Sequence, residues 1–168
     1  YYMAKILFKG GEVNTNRDLP KVGSVAPNFT LVNTGLADVS LADYKGKNVV
    51  LSINPSLDTS VCAATARKFN TTLSQLANTV VLYITKDLPF AHNRFCTTEG
   101  IENVVTLSDY RNPEFATTYG VLVQDGALKG LMARAIVVIN PQGVVTYTEM
   151  VPEITTEPNY DNVIAALK

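Results

Sequence analysis

Two near-continuous apolar runs limit what this chain can fold into more than any other feature. "NVVLSIN" (Asn48 to Asn54) and "TVVLYIT" (Thr79 to Thr85) have the length of strands and lack the polar alternation of a strand with one wet face. They read as strands buried on both sides. Between them, from about Ser60 to Ala77, the period becomes helical, with Ala66, Phe69, Leu73 and Leu76 on one stripe. Asn48 to Thr85 is therefore a strand–helix–strand unit, for which a right-handed parallel crossover is the expected geometry.

The flanking segments fit around that unit. "KILFKGGEV" reads as two short strands about Gly10 and Gly11, a hairpin. "FTLVN" and "ADVSLADYKGK" suggest a second strand pair and a short turn ending near Gly46. "DLPFAHNRFCTTEG" is a short helix, with Pro89 in its first turn, Gly100 as its stop and an apolar stripe of Leu88, Ala91 and Phe95. "VVTLS" is a strand, and "NPEFATTYG" a helix from Asn112-Pro113 to Gly120. "ARAIVVIN" and "GVVTYTEMV" bracket Pro141-Gln142-Gly143 as a hairpin. Tyr160, Val163, Ile164 and Leu167 mark a C-terminal amphipathic helix. The expectation is one α/β domain over residues 1–168, with Met3 as a natural start and Tyr1-Tyr2 as an added scar.

Composition excludes several classes of function. Of 168 residues, 46% are apolar and 17% charged, which fits a chain that folds on its own. Lys plus Arg number 14 against 15 Asp plus Glu, without a like-charge block, so neither nucleic acid nor an anionic membrane is an expected partner. No apolar run approaches a membrane span, and the N-terminus lacks the marks of a signal peptide; a cytoplasmic location is expected. Two cysteines and one histidine with scattered carboxylates suggest neither a metal site nor a bound cofactor. In a reducing compartment, Cys62 and Cys96 read as redox-active rather than as a permanent staple.

"NPSLDTSVCAATARKFN" places Cys62 at a helix start. Asp58 or Thr59 can serve as N-cap; with Thr59 as cap, Cys62 falls at the third helical position, facing unsatisfied backbone N–H groups and the positive end of the helix dipole. Such placement favours the thiolate, which is the nucleophile. Cys62 also shares the stripe of Phe69, Leu73 and Leu76, so it should lie at the bottom of a depression. The residues alone leave alternatives open. Cys62 reads equally as a small buried hydrophobe, Arg134 as an ion-pair partner, Thr59 as a helix cap and Pro55 as a strand end.

The string "PSLDTSVC" contains Pro-x-x-x-Thr-x-x-Cys as Pro55, Thr59 and Cys62, and resembles the peroxidatic motif of peroxiredoxins. "DTSVCAATARKFN", "DLPFAHNRFC", "LKGLMARAIVVI" and "EITTEPNYDNVIAALK" resemble, in order, bacterial thiol peroxidases, the atypical two-cysteine branch of that family. Ser60 departs from the glycine usual at its position, which implies slightly altered loop freedom and intact chemistry. The resemblance implies a thioredoxin-like fold, a mixed central sheet flanked by helices with an N-terminal β-hairpin extension. It implies Cys62 as peroxidatic and Cys96 as resolving cysteine, joined in an intrachain disulfide. Thr59 would bind thiolate and peroxide, Pro55 would shield the pocket and Arg134 would be the active-site arginine. A peroxide substrate, thioredoxin as reductant, a homodimer and a bacterial cytoplasm are implied with them.

In that chemistry a thiolate attacks one peroxide oxygen while charge builds on the other, and donors aimed at the developing charge lower the barrier. Arg134 offers a charged planar fork, and Thr59 a hydroxyl that donates and accepts. His92 is read as a surface or pocket-rim residue. Arg67, Lys68 and Arg94 are read as solvated helix-face charges. Phe90 is read as an apolar neighbour of the site, consistent with organic hydroperoxides. The rival readings are a protein thiol–disulfide oxidoreductase, disfavoured by the absence of C-x-x-C, and a redox-sensing interaction module that oxidises without turning over.

Overall fold

A computed structural model describes residues 3–73 and 76–168. The strand–helix–strand unit forms as expected. β5 (Asn48–Ile53) and β6 (Thr79–Thr85) pair in parallel through Asn48↔Thr79 and Ile53↔Ile84, with α1 (Ser60–Thr71) between them in sequence. Around this nucleus a seven-stranded mixed sheet runs β4-β3-β7-β6-β5-β8-β9. Here β3 is Thr30–Val32, β4 Asp38–Ser40, β7 Val105–Ser108, β8 Ala135–Ile139 and β9 Val145–Met150. β7 continues the parallel set beside β6, while β8 joins β5 antiparallel. The tight β8–β9 hairpin turns at Pro141-Gln142-Gly143 as its sequence suggests.

The two-residue period of the central strands decides which side chains meet. Val49, Leu51 and Ile53 of β5 join Leu82 and Ile84 of β6 on one face, packed with Phe115, Ala116 and Tyr119 from α3 (Glu114–Thr118) and its end. There Phe29 meets Phe115 and Tyr119 edge-on at ring separations of 5.2 and 5.9 Å. On the other face Val50, Val81, Tyr83, Ile136 and Val138 pack with Cys62, Ala66 and Phe69 of α1. That cluster also takes in Phe95 and Cys96 of α2 (Pro89–Glu99), and Val163 of α4 (Tyr160–Ala166). Both cysteines thus lie on the same side of the sheet. The central strands are buried on both faces because helices cover each.

The N-terminal hairpin, β1 (Lys5–Phe8) and β2 (Gly11–Asn14), forms a separate two-stranded sheet. Its turn puts Lys9 and Gly10 at positive φ, and the Glu153 carboxylate accepts from both of their backbone N–H groups at 3.3 and 2.9 Å. Leu7 N–H donates to Pro152 and Ile154 N–H donates back to Leu7, so β1 fixes the segment that follows β9.

Both α1 and α2 differ from expectation. α1 stops at Thr71 rather than near Ala77: the hydroxyls of Thr71 and Thr72 both donate to the Lys68 carbonyl and compete with the backbone ladder. Leu73 stays fully buried and Leu76 half-buried in the turn beyond, while residues 74 and 75 lie outside the described chain, as do Tyr1 and Tyr2. α2 buries the stripe of Leu88, Ala91 and Phe95 only in part, with Ala91 and Phe95 half-buried. Leu88 is its N-cap and 51% exposed, and the fully inward side chains are Pro89 and His92. His92 is therefore no surface or rim residue. A stripe counted from apolar residues alone passes over an imidazole that reaches a buried hydroxyl. Arg67, Lys68 and Arg94 are exposed, and Arg67 pairs with Glu99 across α1 and α2 at 3.3 Å.

Gly120 shows where backbone freedom is required. Its φ is +74°, and a Cβ there would lie 2.2 Å from the Asp18 carbonyl oxygen, which is backbone and cannot move aside cheaply. Gly130 has φ +92° with open space around it. Gly120→Ala should cost roughly 2–5 kcal/mol, the sum of left-handed strain and overpacking, whereas Gly130→Ala should cost about 1 kcal/mol. Denaturant midpoints at unchanged slope measure both, and equal losses would contradict the clash.

Candidate active site

Strand alternation aims a set of polar side chains at the start of α1. On the α1 face, β5 and the residue beyond it present Ser52 and Asn54, β6 presents Tyr83 and Thr85, and Arg134 precedes β8; all five are buried. Thr59 is the N-cap of α1 with extended backbone, and its hydroxyl oxygen accepts from Cys62 N–H at 3.2 Å. The same hydroxyl donates to the Ser56 carbonyl at 3.2 Å, and Ala63 N–H donates to the Thr59 carbonyl at 3.0 Å. Cys62 falls at the third helical position, as the capping pattern predicts, and is fully buried.

Arg134 is 2% exposed, an unusual state for a permanent cation. Its Nε donates to the Ile154 carbonyl at 2.9 Å. Its Nη1 donates to Asn54 Oδ1 at 2.7 Å and to Cys62 Sγ at 3.2 Å. Asn54 is oriented in turn, its Nδ2 donating to Ser52 Oγ at 3.0 Å and to the Ser52 carbonyl at 3.1 Å. Behind the sulfur, Tyr83 Oη donates to the Cys62 carbonyl at 2.6 Å. Burial first, then the neighbouring Cys62, pushes the Tyr83 phenol well above its ordinary range, so it stays a donor.

A cavity of about 330 Å³ opens beside these groups, lined by Pro55, Thr59 and Arg134 together with Phe8, Leu128 and Ile154. Phe8 comes from the N-terminal hairpin, so the extension forms part of the cavity wall. Phe90 does not line it; Phe90 is 68% exposed on α2. The four residues Pro55, Thr59, Cys62 and Arg134 are thus brought together, and Cys96 stands apart from them. Cys96 lies in the last turn of α2, half-buried, with its sulfur 3.7 Å from Thr106 Oγ1 on β7. Burial pushes the Cys96 thiol up, and the Thr106 hydrogen bond partly offsets this. Both thiols are free.

Redoxin, as a family, matches residues 21–164, most of the chain. The chain belongs to the Redoxin family. Among Redoxin relatives, the thiol peroxidases of Corynebacterium glutamicum and Mycobacterium bovis are each 50% identical to it over 165 residues, covering 98% of this chain and 99% of theirs. A crystal structure of a peroxiredoxin-like protein from Aquifex aeolicus superposes with a TM-score of 0.91 at 40% identity, covering 98% and 96% of the two chains. A thiol peroxidase from Chromobacterium violaceum also gives 0.91, at 22% identity, and shares the fold. The mixed sheet with helices on both faces is thioredoxin-like, with the hairpin as an addition.

Sequence reasoning missed Ser52, Asn54, Tyr83 and the Ile154 carbonyl. Their signal was present: Ser52 and Asn54 interrupt an apolar run at its carboxyl end, and a polar side chain inside a doubly buried strand needs a partner. Among the described residues, no three His, Cys, Asp or Glu side chains group to hold a metal ion, and no helix is long and apolar enough to cross a membrane.

The thiol environments differ in a testable way. In a Cys62→Ser background, alkylation of Cys96 should show a midpoint above the ordinary thiol value. Thr106→Val should move that midpoint to still higher pH, because it removes the contact that opposes burial. An unchanged midpoint would mean that the hydroxyl does not act on the sulfur.

Proposed function

We propose a catalytic cycle for this chain, a thiol peroxidase, in which Cys62 is the peroxidatic and Cys96 the resolving cysteine. The observation that carries the reading is the buried Arg134 guanidinium 3.2 Å from Cys62 Sγ at the wall of an open cavity. A guanidinium whose other partners are neutral oxygens stabilises negative charge on the sulfur beside it. The positive end of the α1 dipole acts in the same sense.

The Cys62 thiolate attacks the terminal oxygen of R–O–O–H. The S–O bond forms as the O–O bond breaks, and the departing alkoxide takes a proton to leave as R–OH. Arg134 stabilises the charge on that oxygen, joined by the Thr59 hydroxyl once it turns from the Ser56 carbonyl, and Pro55 limits water at the sulfur. Cys62 is left as sulfenic acid. Cys96 then attacks it, forming the Cys62–Cys96 disulfide and releasing water. Each cysteine sits in a helix and engages a different partner, so bringing their Cα atoms to the roughly 4.4–6.8 Å a disulfide needs involves local unwinding. Thioredoxin, a dithiol protein, resets the disulfide by exchange. A homodimer is the proposed assembly, and elution at monomer mass would count against it.

Phe8, Leu128 and Ile154 give the cavity an apolar wall that suits organic hydroperoxides as well as hydrogen peroxide. One assay tests the whole scheme: peroxide consumption coupled to thioredoxin oxidation, with hydrogen peroxide and cumene hydroperoxide in parallel. Cys62→Ser should abolish turnover, and Cys96→Ser should consume one equivalent and stall. Continued turnover by Cys62→Ser would reject the mechanism. Turnover of hydrogen peroxide without turnover of cumene hydroperoxide would reject the reading of the apolar wall.

A further inference from the structure

The mechanism above leaves the chain's one histidine unused, although it is fully buried on the helix that carries Cys96. His92 Nε2 lies 2.8 Å from Thr85 Oγ1. That hydroxyl donates its single proton to Asp87 Oδ2 at 2.6 Å and also accepts from Asp87 N–H at 3.0 Å. It has no second proton to give, so Nε2 must be the donor and Nδ1 must carry a lone pair. Among the described residues no donor reaches Nδ1, which is buried without a partner. The far end of the chain of contacts is the Cys62 loop. Asp87 Oδ1 accepts from Ser56 Oγ at 2.9 Å, and Oδ2 accepts from Leu57 N–H at 2.7 Å.

Resting on the reading of Cys96 as the resolving thiol, we propose that His92 is a positioning residue that latches the Cys96 helix to the Cys62 loop through Thr85 and Asp87, and that disulfide formation opens this latch. His92 is one helical turn before Cys96 on the inward side of α2, so withdrawing Cys96 from Thr106 toward Cys62 unwinds the turn that seats the imidazole. The same contact network holds residues 56 and 57 ahead of α1 while both thiols are reduced. Two cysteine segments held through one carboxylate are released together. The step itself balances without another reagent: Cys62–SOH and Cys96–SH become the disulfide and water.

Proton linkage makes the latch observable. The ionisable groups on the elements around α2 are Tyr83 and Asp87 at either side of the end of β6, Lys86 after β6 paired with Asp109 after β7, Cys62, Arg67 and Lys68 on α1, and Asp58 in its lead-in; Arg67 and Asp58 pair with Glu99 and Arg94 of α2 itself. Asp87 is the one whose charge acts on the imidazole. It favours the cation, but burial outweighs it and holds His92 down at about 4. Once outside the core the imidazole returns toward its ordinary value of about 6.5. The opened state therefore binds more protons between those values, and falling pH favours opening across that window and not above about pH 7.

A single histidine gives an unambiguous NMR signal. Titration of the reduced wild-type protein should give a midpoint near 4 and the Nε2–H tautomer. The protein oxidised with one equivalent of peroxide should titrate near 6.5, the ordinary imidazole value. In stopped flow, the ratio of disulfide-forming rates, wild type over His92→Gln, should be about tenfold larger at pH 5.5 than at pH 7.5, the size of that linkage. If mass spectrometry confirms the Cys62–Cys96 disulfide and the imidazole still titrates near 4, the latch is overturned while the cycle stands. If peroxide yields no such disulfide, the cycle itself fails and the latch falls with it.

Discussion

The contact between the Arg134 guanidinium and the Cys62 sulfur depends on four parts of the chain arriving together. Arg134 enters from the start of β8, Asn54 from the end of β5, Cys62 from the first turn of α1 and the Ile154 carbonyl from the segment that β1 clamps. A buried cation is tolerated only where its donors are met, and removing one partner leaves the others stranded. Among the described residues, none of the ion pairs involves Arg134. Its acceptors are two neutral oxygens and one sulfur, so the sulfur is the atom on which a balancing negative charge can settle.

The sheet makes this arrangement nearly obligatory. β5 and β8 pair antiparallel with Ile53 opposite Ala135, which brings the residues just beyond, Asn54 and Arg134, to the same end and the same face. The period of two then separates labour within each strand. Odd positions of β5 and even positions of β6 pack against α3, and the alternate positions support α1 and α2. The hairpin, a peripheral element by topology, contributes to the same end. It holds the 152–154 segment and puts Phe8 on the cavity wall.

Much of this was legible in the sequence, for reasons particular to the residues. The doubly apolar runs of β5 and β6 allow little but buried strands, and Asp58 and Thr59 ahead of Cys62 announce a helix start, at which the structure makes Thr59 the cap. Pro89 and Gly100 mark both ends of α2, with Gly100 at φ +66° as the left-handed stop. What escaped depended on contacts between distant elements. His92 was misplaced because its burial rests on Thr85 and Asp87, which no local periodicity reveals. α1 was drawn too long because the apolar stripe continues through Leu73 and Leu76 after the backbone has left the helix. The bracing of Arg134 by Asn54 and Ser52 needed strand register, which a single sequence supplies only as alternation.

The central claim is that the guanidinium beside Cys62 makes that sulfur react with peroxide, and it is tested most directly by single-turnover kinetics. In a Cys96→Ser background, the second-order rate constant for oxidation of Cys62 by hydrogen peroxide would be compared with and without Arg134→Met, with near-ultraviolet circular dichroism confirming the fold. Loss of a preorganised charged donor at developing charge predicts a fall of about 100-fold or more. A folded variant that keeps its rate within about threefold, far less than the loss of such a donor, would contradict the account.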